Sequence, residues 1–148
     1  MKKYEAIDIS GDAGIRAFGR SPGELFVNAA LGMYSLIVDA ETVLATGHME
    51  VTVRHASLDG LLVAWLNELI FRFDAHGFLA RDIVVIAFSS TKKADAEDRE
   101  YLLAASLSGE SFDPERHQGK LLVKAATYHN LKVEHRDGDW TAEVIFDI

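Results

Sequence analysis

The stretch from Ser57 to Asp74 constrains this chain more than any other. Ser57 caps a helix and Asp59 is favourably placed in its first turn. Over about 58–75, Leu58, Leu61, Leu62, Val63, Trp65, Leu66, Leu69, Ile70, Phe71 and Phe73 go most of the way round that helix. Only Gly60, Asn67, Glu68, Arg72 and Asp74 dilute them. A helix that is apolar on nearly every side must be covered on more than one side. The pattern therefore predicts a helix held between layers and ended by Gly77.

Shorter elements flank it. Residues 3–9 and 13–18 alternate as two strands around the turn Asp8-Ile9-Ser10-Gly11-Asp12-Ala13-Gly14-Ile15. Gly11 and Gly14 are expected to supply the backbone freedom of that turn. Ser21-Pro22-Gly23-Glu24 is a helix start with the pattern of a capping box, and the helix runs to about Val38. Leu25, Ala29, Met33, Leu36 and Ile37 form its apolar stripe. After a connection over 39–46, Met49 to Arg54 alternates as a strand with one wet face. Ile83-Val84-Val85-Ile86-Ala87-Phe88 is a continuous β-prone run, which predicts a central strand covered on both faces. Residues 89–98 read as a polar connection and Tyr101 to Leu107 as a further strand. Gly109 to His117 reads as an ordered loop, and Leu121 to Ala125 as short and extended. The last hairpin turns at Asp137-Gly138. Beyond it Trp140, Ala142, Val144 and Phe146 share one face, and Asp147 falls on the other with Thr141, Glu143 and Ile145.

Bulk properties bound the function. The 148 residues fit one domain, 1–148, with no repeat and no low-complexity tract. No apolar run is long enough to span a membrane, and Met1-Lys2-Lys3-Tyr4-Glu5 lacks the apolar core of a signal peptide, so the cytoplasm is the expected location. Zero cysteines exclude disulfides and thiolate metal sites. The net charge of -8 argues against a direct grip on a phosphate backbone and suits a cation or a basic partner better.

Several chemistries lack their motifs. There is no glycine-rich phosphate loop, no His-Glu-x-x-His helix and no nucleophile elbow. His129, after Thr127-Tyr128, can be read as a base or as a structural residue of a sheet. What remains is oxygen. Asp12, Asp147 and the terminal carboxylate of Ile148 are hard ligands that suit calcium, magnesium or manganese. The plain alternative is an Asx-turn at Asp12 and a frayed end at Asp147. Three carboxylates brought together repel unless a cation sits between them, so their meeting is the informative observation.

These motifs together resemble the archease family from end to end. Asp8-Ile9-Ser10-Gly11-Asp12-Ala13-Gly14-Ile15 is similar to the family's opening Asp-His-Thr-Ala-Asp-x-Gly-Ile, with Ile9-Ser10-Gly11 standing where His-Thr-Ala is usual. Leu61 to Leu69 is similar to its buried-helix signature. Phe112-Asp113-Pro114-Glu115-Arg116-His117, Lys124-Ala125-Ala126-Thr127-Tyr128-His129 and Val144-Ile145-Phe146-Asp147-Ile148 follow in order. The resemblance implies an α+β fold with two helices packed between β-sheet layers. It implies an accessory protein rather than an enzyme, one that activates the GTP-dependent RNA ligase RtcB by promoting its guanylylation and repeated turnover in tRNA splicing and RNA repair. RNA would be met only through the ligase, and no membrane is involved. It also implies a divalent cation, calcium, on the residues matching Asp12, Asp147 and Ile148. A small chaperone or modulator of RNA-modification proteins is the alternative expectation.

Overall fold

The structure, a computed structural model, describes residues 2–92 and 99–148. In chain order the elements are β1 (Tyr4–Ile9), β2 (Asp12–Gly19), α1 (Pro22–Ile37), a 3-10 turn (Ala40–Thr42), β3 (Gly47–His55), α2 (Leu58–His76), β4 (Phe78–Lys92), β5 (Arg99–Ser111), β6 (Ala125–Ala126), β7 (Lys132–Arg136) and β8 (Asp139–Asp147). They form two antiparallel sheets. One runs β1-β2-β8-β6, with β7 sharing the second edge of β8; the other runs β3-β5-β4.

Local chemistry sets the element ends. The first hairpin turns through Ser10-Gly11, where Gly11 has φ +79°. The last turns through Asp137 (φ 53°) and Gly138 (φ 83°), both in the left-handed region that a two-residue hairpin requires. Ser21 Oγ accepts the Glu24 N–H and Ser57 Oγ accepts the Gly60 N–H, satisfying helical amides that lack an internal partner. Gly77 closes α2 with φ +68°. At the end of α1 the carbonyls of Leu36 and Ile37 accept the N–H groups of Leu121 and Lys120, so a distant segment caps that helix.

Both helices lie between the sheets, as the apolar pattern of 58–75 predicts. α1 packs on β1, β2, β8 and β4, while α2 packs on β3, β4, β5 and β6. Leu61, Leu62, Trp65, Leu66 and Leu69 are fully buried, and Trp65 Nε1–H donates to the Phe26 carbonyl at 3.0 Å, tying the helices together. One position departs from the pattern: Phe71 faces solvent.

Three expectations are corrected. Ile83 to Phe88 is an edge strand, not a central one, because β5 stands in the middle of its sheet. Register shifts at Arg81 and Ile86 turn both Ile86 and Ala87 outward, leaving Val84 64% and Ile86 57% exposed. Bulges of this kind twist an edge away from further pairing. The strand also continues through Ser89 to Lys92, so the expected connection starts later; residues 93–98 lie outside the described residues. Gly14 has no positive φ and lies inside β2, so turn geometry is not its reason. A Cβ there would stand 3.1 Å from the Val144 carbonyl oxygen and 3.2 Å from Ile9 Cδ1, so close packing is.

Candidate functional site

Pairing β2 antiparallel to β8 aligns Ala13 with Phe146 and Gly14 with Ile145. Asp12 and Asp147 are each the next residue beyond that last pair, at the same end of the ladder. Side chains alternate between the two faces of a strand. Ala13, Ile15 and Ala17 point into the core with Ala142, Val144 and Phe146, so Asp12 and Asp147 point out, and both are exposed. Ile148, one residue beyond, is exposed as well. Asp8 is not part of this group. It pairs with Ala13, so it projects on the opposite face of the sheet.

The same face offers an internal comparison. Two rows along, Arg16 sits between Glu5 and Glu143 at 2.6 Å from each, which lowers both carboxyl pKa values and raises that of the guanidinium. For Glu5 the Lys2 ammonium contributes first and Arg16 second; for Glu143 the Arg16 hydrogen bond comes first. Among the described residues, no ion pair of this kind reaches Asp12 or Asp147. Nor do three His, Cys, Asp or Glu side chains there stand close enough to hold a metal ion. The candidate donors are thus the two side chains of Asp12 and Asp147, with Ile148 beside them. That oxygen set fits a hard cation with water completing its shell. Beside it the same face is apolar. Ile7, Ile9 and Ile145 line a dent of about 390 Å³, rimmed by Asn130, Lys132 and Glu143.

The end of β8 is held from its other edge by a strap, the segment that reads in the sequence as short and extended. Ala125 and Ala126 pair with Asp147 and Phe146. The Lys124 N–H donates to the Asp147 carbonyl at 2.8 Å, and both the N–H and the hydroxyl of Thr127 donate to the Ile145 carbonyl. From the core side, Asn67 of α2 bonds both backbone groups of Ala126. Its only signal in the sequence is an uncharged polar residue between the buried Leu66 and Leu69 of α2.

Farther along the strap, His117 is buried. Its Nδ1 accepts the Asp113 N–H at 2.8 Å, which leaves the proton on Nε2 to donate to Glu110 at 3.0 Å. Glu110 also pairs with Arg116 and accepts the Leu44 N–H. The Arg116 hydrogen bond first, then Leu44, hold the Glu110 carboxyl down to about 2. This cluster anchors the loop after β5. His129 is exposed between Tyr128 and Asn130, and the partner nearest its ring is the Asn130 amide at 3.4 Å. Nothing there orients it as a base.

Fold and site together define a two-sheet α+β protein that encloses two helices and carries Asp12 and Asp147 on an outer face. A profile of the Archease protein family (MTH1598/TM1083) matches residues 4–148, and the chain belongs to that family. Protein archease of Methanosarcina mazei is 37% identical over 147 residues, covering 99% of this chain and 97% of that one. Protein archease of Pyrococcus furiosus is 34% identical over 149 residues, covering the whole of both. Among solved structures, the solution structure of Methanobacterium thermoautotrophicum protein 1598 is 30% identical, with a TM-score of 0.76 over 100% of both chains. The crystal structure of an archease from Thermotoga maritima, titled a possible chaperone, shares the fold at 17% identity, with a TM-score of 0.58 over 97% of this chain and 96% of that one.

Proposed function

We propose that this chain is a cytoplasmic accessory protein that activates the GTP-dependent RNA ligase RtcB, promoting ligase guanylylation and multiple turnover in tRNA splicing and RNA repair. It carries out no catalysis itself and meets RNA only through the ligase. Asp12, Asp147 and the Ile148 carboxylate hold a divalent cation, calcium. The observation that carries this reading is the placement of Asp12 and Asp147 on one outer face at the same end of the β2–β8 ladder, with no side-chain cation paired to either among the described residues. Membership of the archease family supports the partner, and the net charge of -8 fits contact with a basic ligase surface better than with bare RNA. A bound calcium ion supplies a fixed positive charge between carboxylates that otherwise repel. The chain's own part is to present that end on a rigid sheet, with the isoleucine dent beside it.

The test is the guanylylation rate of a cognate ligase with and without this protein. Wild type should accelerate it, and Asp12→Ala or Asp147→Ala should abolish the effect while remaining folded. Full activation by the double Asp→Ala variant overturns the reading. The chaperone reading has one observation in its favour, the exposed Val84 and Ile86 on β4. It expects suppression of light scattering from unrelated unfolding clients, lost in a Val84→Ser, Ile86→Ser variant.

A further inference from the structure

β6 is only two residues long, and β8 covers one of its edges. On its other side stands the side chain of Asn67. Asn67 Nδ2 donates to the Ala126 carbonyl at 3.2 Å, and the Ala126 N–H donates to Asn67 Oδ1 at 2.8 Å. This reciprocal pair is what a neighbouring residue of an antiparallel strand would exchange with Ala126. One amide side chain therefore stands in for a missing strand. Ala126 is buried, so its backbone groups need partners, and no shorter or purely apolar side chain at position 67 supplies both.

The connection runs on to the terminus. Ala126 pairs with Phe146 and Ala125 with Asp147, and the Lys124 N–H holds the Asp147 carbonyl. A chain end of this kind frays unless something ties it down. Asn67 links it to α2, which packs between the two sheets. We infer that Asn67 is the positioning residue of the candidate site: through Ala126 it fixes the direction and register of the Asp147–Ile148 end. This rests on the cation reading proposed above.

Calcium titration by calorimetry and amide hydrogen exchange, both on the full chain, test it. In Asn67→Ala, exchange at Lys124 and Thr127 should quicken at least tenfold, and calcium affinity should fall at least tenfold. Asn67→Asp keeps the acceptor for the Ala126 N–H and loses the donor, so it should fall between wild type and Asn67→Ala, and it serves if Asn67→Ala does not fold. Ile70→Val, on the same helix, controls for lost stability and should change neither readout. Faster exchange or a lower melting temperature with unchanged calcium affinity overturns the inference and leaves Asn67 a packing residue. Asp12→Ala separates the two claims. If it abolishes calcium binding and the Asn67 variants do not, only the positioning role fails. If neither it nor Asp147→Ala changes calcium binding, the cation reading fails, and the positioning role with it.

Discussion

Asp12 and Asp147 lie at the same end of one sheet face, each just beyond the Ala13–Phe146 pair, and like charges facing one another across a ladder destabilise it by a few tenths to about 1 kcal/mol. Asp147→Asn removes one of them. In chelator this variant should be as stable as wild type or more stable by ~0.2–1 kcal/mol, because an exposed side chain has little packing to lose. It should also lose any rise in melting temperature on adding calcium. Thermal melts with and without calcium check both, and a clear loss of stability in chelator contradicts the placement. At this scale the sequence was only partly legible. Asp12 and Asp147 stand out by residue type and position. The buried glycines do not. At Gly109 a Cβ would run into the Leu79 carbonyl oxygen, because β4 approaches that backbone from 30 positions away, and at Gly60 into the ring of His55, which folds back over the start of α2; neither approach is announced by a local pattern.

Two elements carry predictions of their own. Trp65 is fully buried and bonds the Phe26 carbonyl, so Trp65→Ala should cost ~3–5 kcal/mol in chemical denaturation. Trp65→Phe keeps a ring but strands that carbonyl, and should cost less. An unchanged denaturation midpoint for Trp65→Ala would refute the packing of α2. The loop after β5 should be sensitive to acid. Glu110 has a folded pKa near 2, below its ordinary 4.5, because Arg116, Leu44 and His117 favour the carboxylate. Its stabilising effect is therefore complete above about pH 4.5 and is lost as pH falls toward 2. Glu110→Gln should be less stable than wild type at pH 7, and the gap should close progressively below pH 4.5. A gap independent of pH would show that the pairing does not set stability. The element that misleads is β4: its apolar run reads as a doubly covered strand, yet Val84 and Ile86 face out. Bulges at Arg81 and Ile86 break the alternation from which a face is read.

At the scale of the whole molecule, the two chain ends are not equivalent. β1 starts at Tyr4 opposite Ala17 and reaches its turn beside Asp12, so Tyr4 lies at the far end of a six-residue strand, roughly 20 Å away. A C-terminal extension converts the Ile148 carboxylate into an amide and crowds Asp147. An N-terminal extension does neither. The C-terminally tagged protein should therefore bind calcium more weakly and activate the ligase less than the N-terminally tagged one; equal behaviour in the two assays would detach the terminus from the site. The sequence by itself determined what is local or periodic: both helices with their serine caps, the Asp137-Gly138 hairpin turn, the two-sided burial of α2, and the outward face of Asp147. Each follows from spacing within about twenty residues, where helical and strand periods act. The first hairpin was legible but not its register, because Asp12 is the first residue of β2 and pairs with Ile9 rather than sitting in the turn. Tertiary structure alone decided which strand became an edge, which glycines are approached by remote backbone, and that Asn67 holds β6. It also decided that β8 lies against β2, which brings Asp12 and Asp147, 135 positions apart in the chain, to the same end of one sheet face. Such pairings depend on how the sheets close around the two helices, and no residue near either aspartate encodes them.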